Sequence, residues 1–210
     1  GAAHRVTITA RDGSGNIGRR SADIPGGGAE RRFKDTAAHW AADYCDYLYD
    51  HNISRGYTDG TFRPDRLLTR LDFSVMLYNS LKLDPAKYTG VSVPFADLGK
   101  IPDSALPAVR ALYAEGVVTG TQGKDGKLYL NPDGNLTRAQ AAAMIGRSQE
   151  KGYALASLTF TDAGKIPAYA AFYIQTMAAQ GIINGYSDNT FKPNNNITRG
   201  QMAKILYNLM

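Results

Sequence analysis

A single cysteine, Cys45, stands in 210 residues, so no disulfide can form within the chain. That excludes a disulfide-stapled scaffold, while it leaves both a cytosolic and an exported setting open. No apolar run approaches the ~20 residues that would span a bilayer, so no membrane insertion is expected. No segment reads as a signal peptide, and Gly1-Ala2-Ala3 reads as a cloning scar, which leaves room for an export signal removed upstream. The three histidines, His4, His39 and His51, do not recur at any spacing that would hold a metal. There is no Gly-x-Ser-x-Gly elbow and no phosphate-binding glycine loop. No cofactor is therefore expected, and catalysis is disfavoured. A glycosidase would need two carboxylates of different character facing one bond.

What is present is globular: 43% apolar and 20% charged residues, enough to bury a core. A net charge of +5 fits plain solubility and an acidic partner equally well. Lysine and arginine are dispersed rather than striped, so nucleic acid is not an expected partner. The Asp-Gly turns lack the alternating acids of a calcium loop. Sequons at Asn52, Asn135 and Asn196 read as chance.

Residues 4–24 alternate polar and apolar around Asp12-Gly13-Ser14-Gly15-Asn16, the pattern of two strands joined by a turn. An isolated hairpin is marginal in water. Residues 1–28 are therefore read as the remnant of an upstream β-sandwich domain, closed by the linker Pro25-Gly26-Gly27-Gly28.

From Phe33 the chain repeats three times. The repeats open on Phe33-Lys34-Asp35, Phe95-Ala96-Asp97 and Phe160-Thr161-Asp162, with Asp spacings of 62 and 65 residues. A first helix is expected directly after each Asp. In the first repeat its apolar stripe comprises Ala37, Trp40, Ala41, Tyr44, Cys45 and Leu48. It should stop at Asn52, Gly116 or Gly181, residues suited to the left-handed conformation. A second glycine follows four residues on (Gly56, Gly120, Gly185), followed in two repeats by Tyr57 and Tyr186 and in the second by Thr121.

A tight turn and a Phe/Leu-x-Pro segment then lead to Leu68-Thr69-Arg70, Leu136-Thr137-Arg138 and Ile197-Thr198-Arg199. Each Thr, with Asp72, Gln140 or Gln201 three residues later, forms a capping-box pattern that starts a second helix. Phe73, Met76 and Leu77, with Ala141, Met144 and Ile145 and with Met202, Ile205 and Leu206, should face the core. The unusual element is the Arg, a cation in the first helical turn, where the macrodipole favours an anion. The expected fold is mainly α: three helix–connector–helix repeats at 29–92, 93–157 and 158–210.

Gly56-Tyr57-Thr58-Asp59-Gly60-Thr61-Phe62-Arg63-Pro64 and Gly185-Tyr186-Ser187-Asp188-Asn189-Thr190-Phe191-Lys192-Pro193, with His39-Trp40-Ala41 and the Thr-Arg motifs, resemble the S-layer homology repeat. The resemblance implies a pseudo-threefold module with grooves between repeats and no catalytic role. It implies a place on the bacterial cell surface, as a monomeric module of a larger exported protein. It also implies a partner, secondary cell wall polysaccharide, bound through a pyruvate ketal on an amino sugar. A peptidoglycan or protein partner is the alternative.

Given that partner, Arg70, Arg138 and Arg199 become candidate clamps for the ketal carboxylate, since a guanidinium fork matches it bidentately. The helix ends would add backbone amides aimed at the same anion. Asp35, Asp97 and Asp162 could orient these arginines, accept sugar hydroxyls, pair with the arginines internally, or act as helix caps. Gly56, Gly120 and Gly185 would let the backbone approach a sugar. Trp40, Tyr57, Tyr169 and Tyr186 could supply flat faces for sugar rings, although core packing is the better reading for these four. Repeat two, with Thr121 and with Ser104 where Trp40 and Tyr169 stand, is expected to contribute least.

Overall fold

The computed structural model describes residues 4–11, 17–24, 31–149 and 159–210. Strands β1 (His4–Arg11) and β2 (Ile17–Ile24) pair antiparallel from His4↔Ile24 to Arg11↔Ile17, as the alternation predicts. The connecting turn at 12–16 and the glycine linker at 25–28 lie outside the described residues.

The rest is mainly helical. Repeat one holds α1 (Ala42–Asp50) and α2 (Arg70–Leu81), repeat two α3 (Leu106–Ala114) and α4 (Arg138–Arg147), and repeat three α5 (Ala168–Ala179) and α6 (Arg199–Leu209). The longer connector of repeat two adds a two-residue ladder, β3 (Thr121–Gln122) with β4 (Leu128–Tyr129).

The first helices start later than the sequence pattern suggests. Short 3₁₀ turns at Leu98–Lys100 and Ala163–Lys165 follow Asp97 and Asp162, and the chain then extends at Ile101 and Ile166. Those two residues precede Pro102 and Pro167, whose rings disfavour a helical predecessor. In repeat one α1 begins only at Ala42, so Ala37 and Trp40 are exposed rather than part of a buried stripe. Ala41, Cys45 and Leu48 are buried as expected.

The helix stops fall where glycine and asparagine require them. Asn52, Gly116 and Gly181 take φ of 58°, 69° and 71°. In each case the next amide reaches back to the helix: Ile53 to Leu48, Val117 to Leu112 and Ile182 to Met177. Three Schellman motifs thus close three first helices and satisfy carbonyls that would otherwise be orphaned.

Repeats interlock rather than stack. The second helix of each repeat packs on the first helix of the next: α2 on α3, α4 on α5, and α6 back on α1. Gly146 lets α4 meet the Tyr173 side chain of α5, and Tyr207 of α6 packs edge-on against Tyr44 and Tyr47 of α1. All nine expected core positions of the second helices are buried.

Candidate functional site

The grooves form where a Thr-Arg corner of one repeat meets the connector of the next. Each Thr does what its position predicts: the Thr69, Thr137 and Thr198 hydroxyls accept the amides of Asp72, Gln140 and Gln201. Gln140 and Gln201 reach back to accept the Thr137 and Thr198 amides, which completes two capping boxes. Asp72 is one methylene shorter and leaves its box half made.

The amides at the helix starts are not available to an anion, contrary to expectation. Arg70 N–H and Leu71 N–H donate to the Gly134 and Pro132 carbonyls, Arg138 and Ala139 to Asn195 and Pro193, and Arg199 and Gly200 to Arg66 and Pro64. Buried helix ends require partners, and here the next repeat's connector supplies them. The corner is an inter-repeat joint before it is anything else.

The arginine side chains follow the same cyclic rule. Arg70 Nε donates to the Leu130 carbonyl of repeat two, Arg138 Nε to Phe191 of repeat three at 2.9 Å, and Arg199 Nε to Phe62 of repeat one at 2.9 Å. Asp35, Asp97 and Asp162 hold the other side of those same residues. Their carboxylates accept the amides of Phe62 and Arg63, Leu130 and Asn131, and Phe191 and Lys192. The second residue of each pair is left-handed, with φ of 57°, 55° and 56°, a conformation that turns two successive amides toward one carboxylate. Asp97 and Asp162 precede 3₁₀ turns without making a side-chain cap bond, and among the described residues none of the three aspartates forms an ion pair with these arginines. The aspartates are clasps across the connector.

Arg138 and Arg199 are 7% and 4% exposed, and Arg70 is half-buried. Burial lowers the pKa of Arg70 and Arg138 from the ordinary value, with Arg147 adding to the effect at Arg70. A guanidinium nevertheless stays protonated. Arg138 lies 4.9 Å from the Tyr186 ring centre and 4.8 Å from that of Phe191, and it donates a second bond to the Asn184 carbonyl. Among the described residues neither Arg70 nor Arg138 has an ion pair with a carboxylate, whereas Arg199 has one, to Asp72 at 3.5 Å.

Among the described residues, two grooves at these joints contain a clamp arginine and have room for a ligand. One, of about 260 Å³, is lined by Arg138 of repeat two, Gly185, Tyr186, Gln201 and Lys204 of repeat three, and Trp40 of repeat one. The other, of about 180 Å³, is lined by Arg70 of repeat one, Gly120, Thr121, Gln140 and Arg147 of repeat two, and Tyr169 of repeat three. Each therefore draws on all three repeats.

Trp40 and Tyr169 are 55% and 50% exposed at these walls, which corrects the expectation that they pack in the core. Tyr57 and Tyr186 are half-buried, and each already carries a cation over its ring: Arg63 at 4.1 Å and Lys192 at 4.2 Å. The second glycines have a packing reason of their own. A Cβ at Gly120 would stand 2.6 Å from the Phe95 ring, and one at Gly185 would stand 2.7 Å from Phe160. Each glycine is the seat of its repeat's opening phenylalanine as well as part of the groove.

Sequence reasoning missed Lys204 and Arg147. Both follow the capping residue along the helix, Lys204 three residues after Gln201 and Arg147 seven after Gln140, spacings that return to the same face. That periodicity was the signal, but the residue types differ between repeats, so nothing repeats to be noticed. Asn79 and Asn208 occupy the position of Arg147 and donate to Ile53 and Ile182 carbonyls, as Arg147 does to Val117.

Comparison with known proteins agrees with this architecture. The model of the S-layer homology domain matches residues 32–74, 94–142 and 159–203, together more than half of the chain. An amylopullulanase of Thermoanaerobacterium thermosulfurigenes is 31% identical over 86% of this chain, but over only 10% of its own length. An exoglucanase of Acetivibrio thermocellus, XynX, is 30% identical over 85% of this chain and 16% of its own. A cellulosome-anchoring protein of the same organism is 34% identical over 62% of this chain and 29% of its own. The chain thus spans a small part of each relative. By its three matched segments, it belongs to the S-layer homology domain family.

Proposed function

We propose that this chain is a non-catalytic carbohydrate-binding anchor that holds an exported protein on the bacterial cell wall. Its partner is an anionic secondary cell wall polysaccharide, and a pyruvate-ketal carboxylate is taken by arginine in the grooves between repeats. Family membership supports the anchoring role, as do relatives named as a cellulosome-anchoring protein, an S-layer protein and a cell surface glycoprotein. The enzymes among the relatives match over a small share of their length, which fits a module carried beside catalytic domains.

The observation that carries the carboxylate clamp is the charge balance of Arg138. This buried guanidinium has carbonyls and aromatic faces around it and, among the described residues, no ion pair with a carboxylate, Asp162 acting on it only at longer range. A buried charge without a directly paired counter-ion is costly, and a carboxylate entering the groove would supply that pair. Lys204 lines the same groove and Trp40 offers a flat apolar wall for a sugar ring.

The test is titration of the domain with wall polysaccharide before and after chemical removal of the pyruvate. Loss of affinity on depyruvylation is expected. Unchanged affinity would rule out the ketal carboxylate as the recognised group and favour peptidoglycan or a protein partner.

A further inference from the structure

The three grooves obey one cyclic rule, which allows them to be compared position by position. The clamp arginine comes from one repeat, the floor and capping residue from the next, and the outer wall from the third. The Arg138 groove combines Gln201 with a second cation, Lys204, and an exposed Trp40. In the Arg70 groove the same elements are Gln140, Arg147 and an exposed Tyr169. By the same rule the remaining groove sets Arg199 against Gly56, Tyr57 and Asp72 of repeat one, with Ser104 of repeat two at the wall position.

That third groove keeps the arginine, the glycine and the tyrosine but differs in its capping residue, its helix-face cation and its wall. Its capping residue is a carboxylate, and Asp72 Oδ2 stands 3.5 Å from Arg199 Nη1. This oxygen is buried and has no hydrogen bond of its own, so Arg199 is its nearest compensation. Asp72 turns that way because it is too short to complete the capping box that occupies Gln140 and Gln201. Val75 stands where Lys204 does, and Asn79 where Arg147 does, so neither second cation is present. The other arginines near Tyr57 are engaged or exposed: Arg63 pairs with Asp59, Arg66 donates to the Tyr57 hydroxyl, and the exposed Arg55 donates to Asn52. Ser104 provides no flat face. A second carboxylate brought to Arg199 would meet Asp72 in a partly desolvated setting, where like charges repel strongly.

We propose that the module takes up two anionic sugar termini, one in the Arg138 groove and one in the Arg70 groove, and that Asp72 closes the Arg199 groove to anions. The proposal rests on the carboxylate-clamp reading above and adds its stoichiometry and its selectivity residue. It also relocates the weak site. Repeat two supplies the floor of the Arg70 groove, with Arg147 as a second cation, and its Ser104 impoverishes a groove formed by the other two repeats.

The experiment uses the whole chain, isotope-labelled, with the methyl glycoside of an N-acetylated amino sugar carrying a pyruvate ketal as the probe. The same glycoside without the ketal is the control. The amides of Gly185, Gly120 and Gly56 report the three grooves separately. Saturable shifts are expected at Gly185 and Gly120, with a response at Gly56 at least about tenfold weaker in affinity. Replacing Asp72→Asn, or Asp72→Gln to copy the other repeats, should bring Gly56 into the same concentration range. Unchanged responses at Gly185 and Gly120 would certify that these variants are folded.

Gly56 shifting in parallel with the other two in the parent protein would overturn the proposal while leaving the clamp reading intact. Gly56 staying silent in both folded Asp72 variants would also overturn it. No response to either glycoside at any glycine, or equal responses to both, would remove the clamp reading itself and this proposal with it.

Discussion

The amide of Leu68 donates to the carbonyl of Ile197 at 2.9 Å, joining repeat one to repeat three. Ile197 in turn donates to Leu136 at 2.9 Å, and Leu136 returns to Leu68 at 3.2 Å. Three backbone hydrogen bonds thus form a closed ring, made by the aliphatic residue that precedes each Thr-Arg pair. All three side chains are fully buried. A buried backbone group left unpaired is costly, so the ring is complete only when all three repeats are present.

It follows that the repeats should unfold together. Leu136→Ala removes packing at this junction and is expected to destabilise the chain by about 2–5 kcal/mol, the usual range for such a truncation in a core. Urea denaturation followed by circular dichroism should show one transition, shifted to lower urea. Two separate transitions, with only the repeat-two signal displaced, would show that the ring does not couple the repeats.

The aspartate clasp gives a second expectation. Asp162→Ala leaves the Phe191 and Lys192 amides without their acceptor, and Lys192 is held at positive φ. The loss should be about 1–3 kcal/mol of stability. If the aspartate also touched the ligand, affinity per folded molecule would fall, and calorimetry on the folded fraction separates the two roles. Retained affinity is expected, because both Asp162 oxygens are already engaged by the connector.

Much of this architecture was legible in the sequence because it rests on local rules repeated three times. Asn52, Gly116 and Gly181 announced left-handed stops, and the Thr residues announced helix starts, each through its own backbone chemistry. The site was less legible because it is built between repeats. Nothing local says that Arg138 binds the Phe191 carbonyl or that the first-turn amides are taken by carbonyls across a joint. The contacts of Asp35, Asp97 and Asp162 were hidden for the same reason: the amides they accept lie on the connector, far along the chain. Trp40 was assigned to the core because its spacing matched a helix that in fact starts at Ala42.

Cys45 offers a cheap reporter of the intact fold. It is fully buried on α1, and burial pushes its thiol pKa up to about 12. The thiolate, which is the reactive form, is therefore scarce at neutral pH as well as inaccessible. A maleimide should fail to label the native protein at pH 7.5 and label it fully in urea. In Leu136→Ala the labelling midpoint should shift to lower urea together with the circular dichroism transition. Rapid labelling without denaturant would mean that α1 opens independently of the ring.

The connector turns should respond to acid in a defined direction. Asp188 accepts the Thr190 hydroxyl at 2.5 Å and the Thr190 amide at 3.1 Å, and it pairs with Lys192 at 3.1 Å. These contacts, the hydroxyl first, hold its pKa at about 2 against an ordinary 3.8. Because the folded value is the lower one, the contribution to stability is complete above about 3.8 and fades as pH falls from there through about 2. Titration of the side-chain carboxyl carbon by NMR should give a midpoint near 2. Thr190→Val keeps the amide, removes the hydroxyl, and should move that midpoint up toward the ordinary value. A midpoint already near 3.8 in the parent would mean that the turn leaves Asp188 to the solvent.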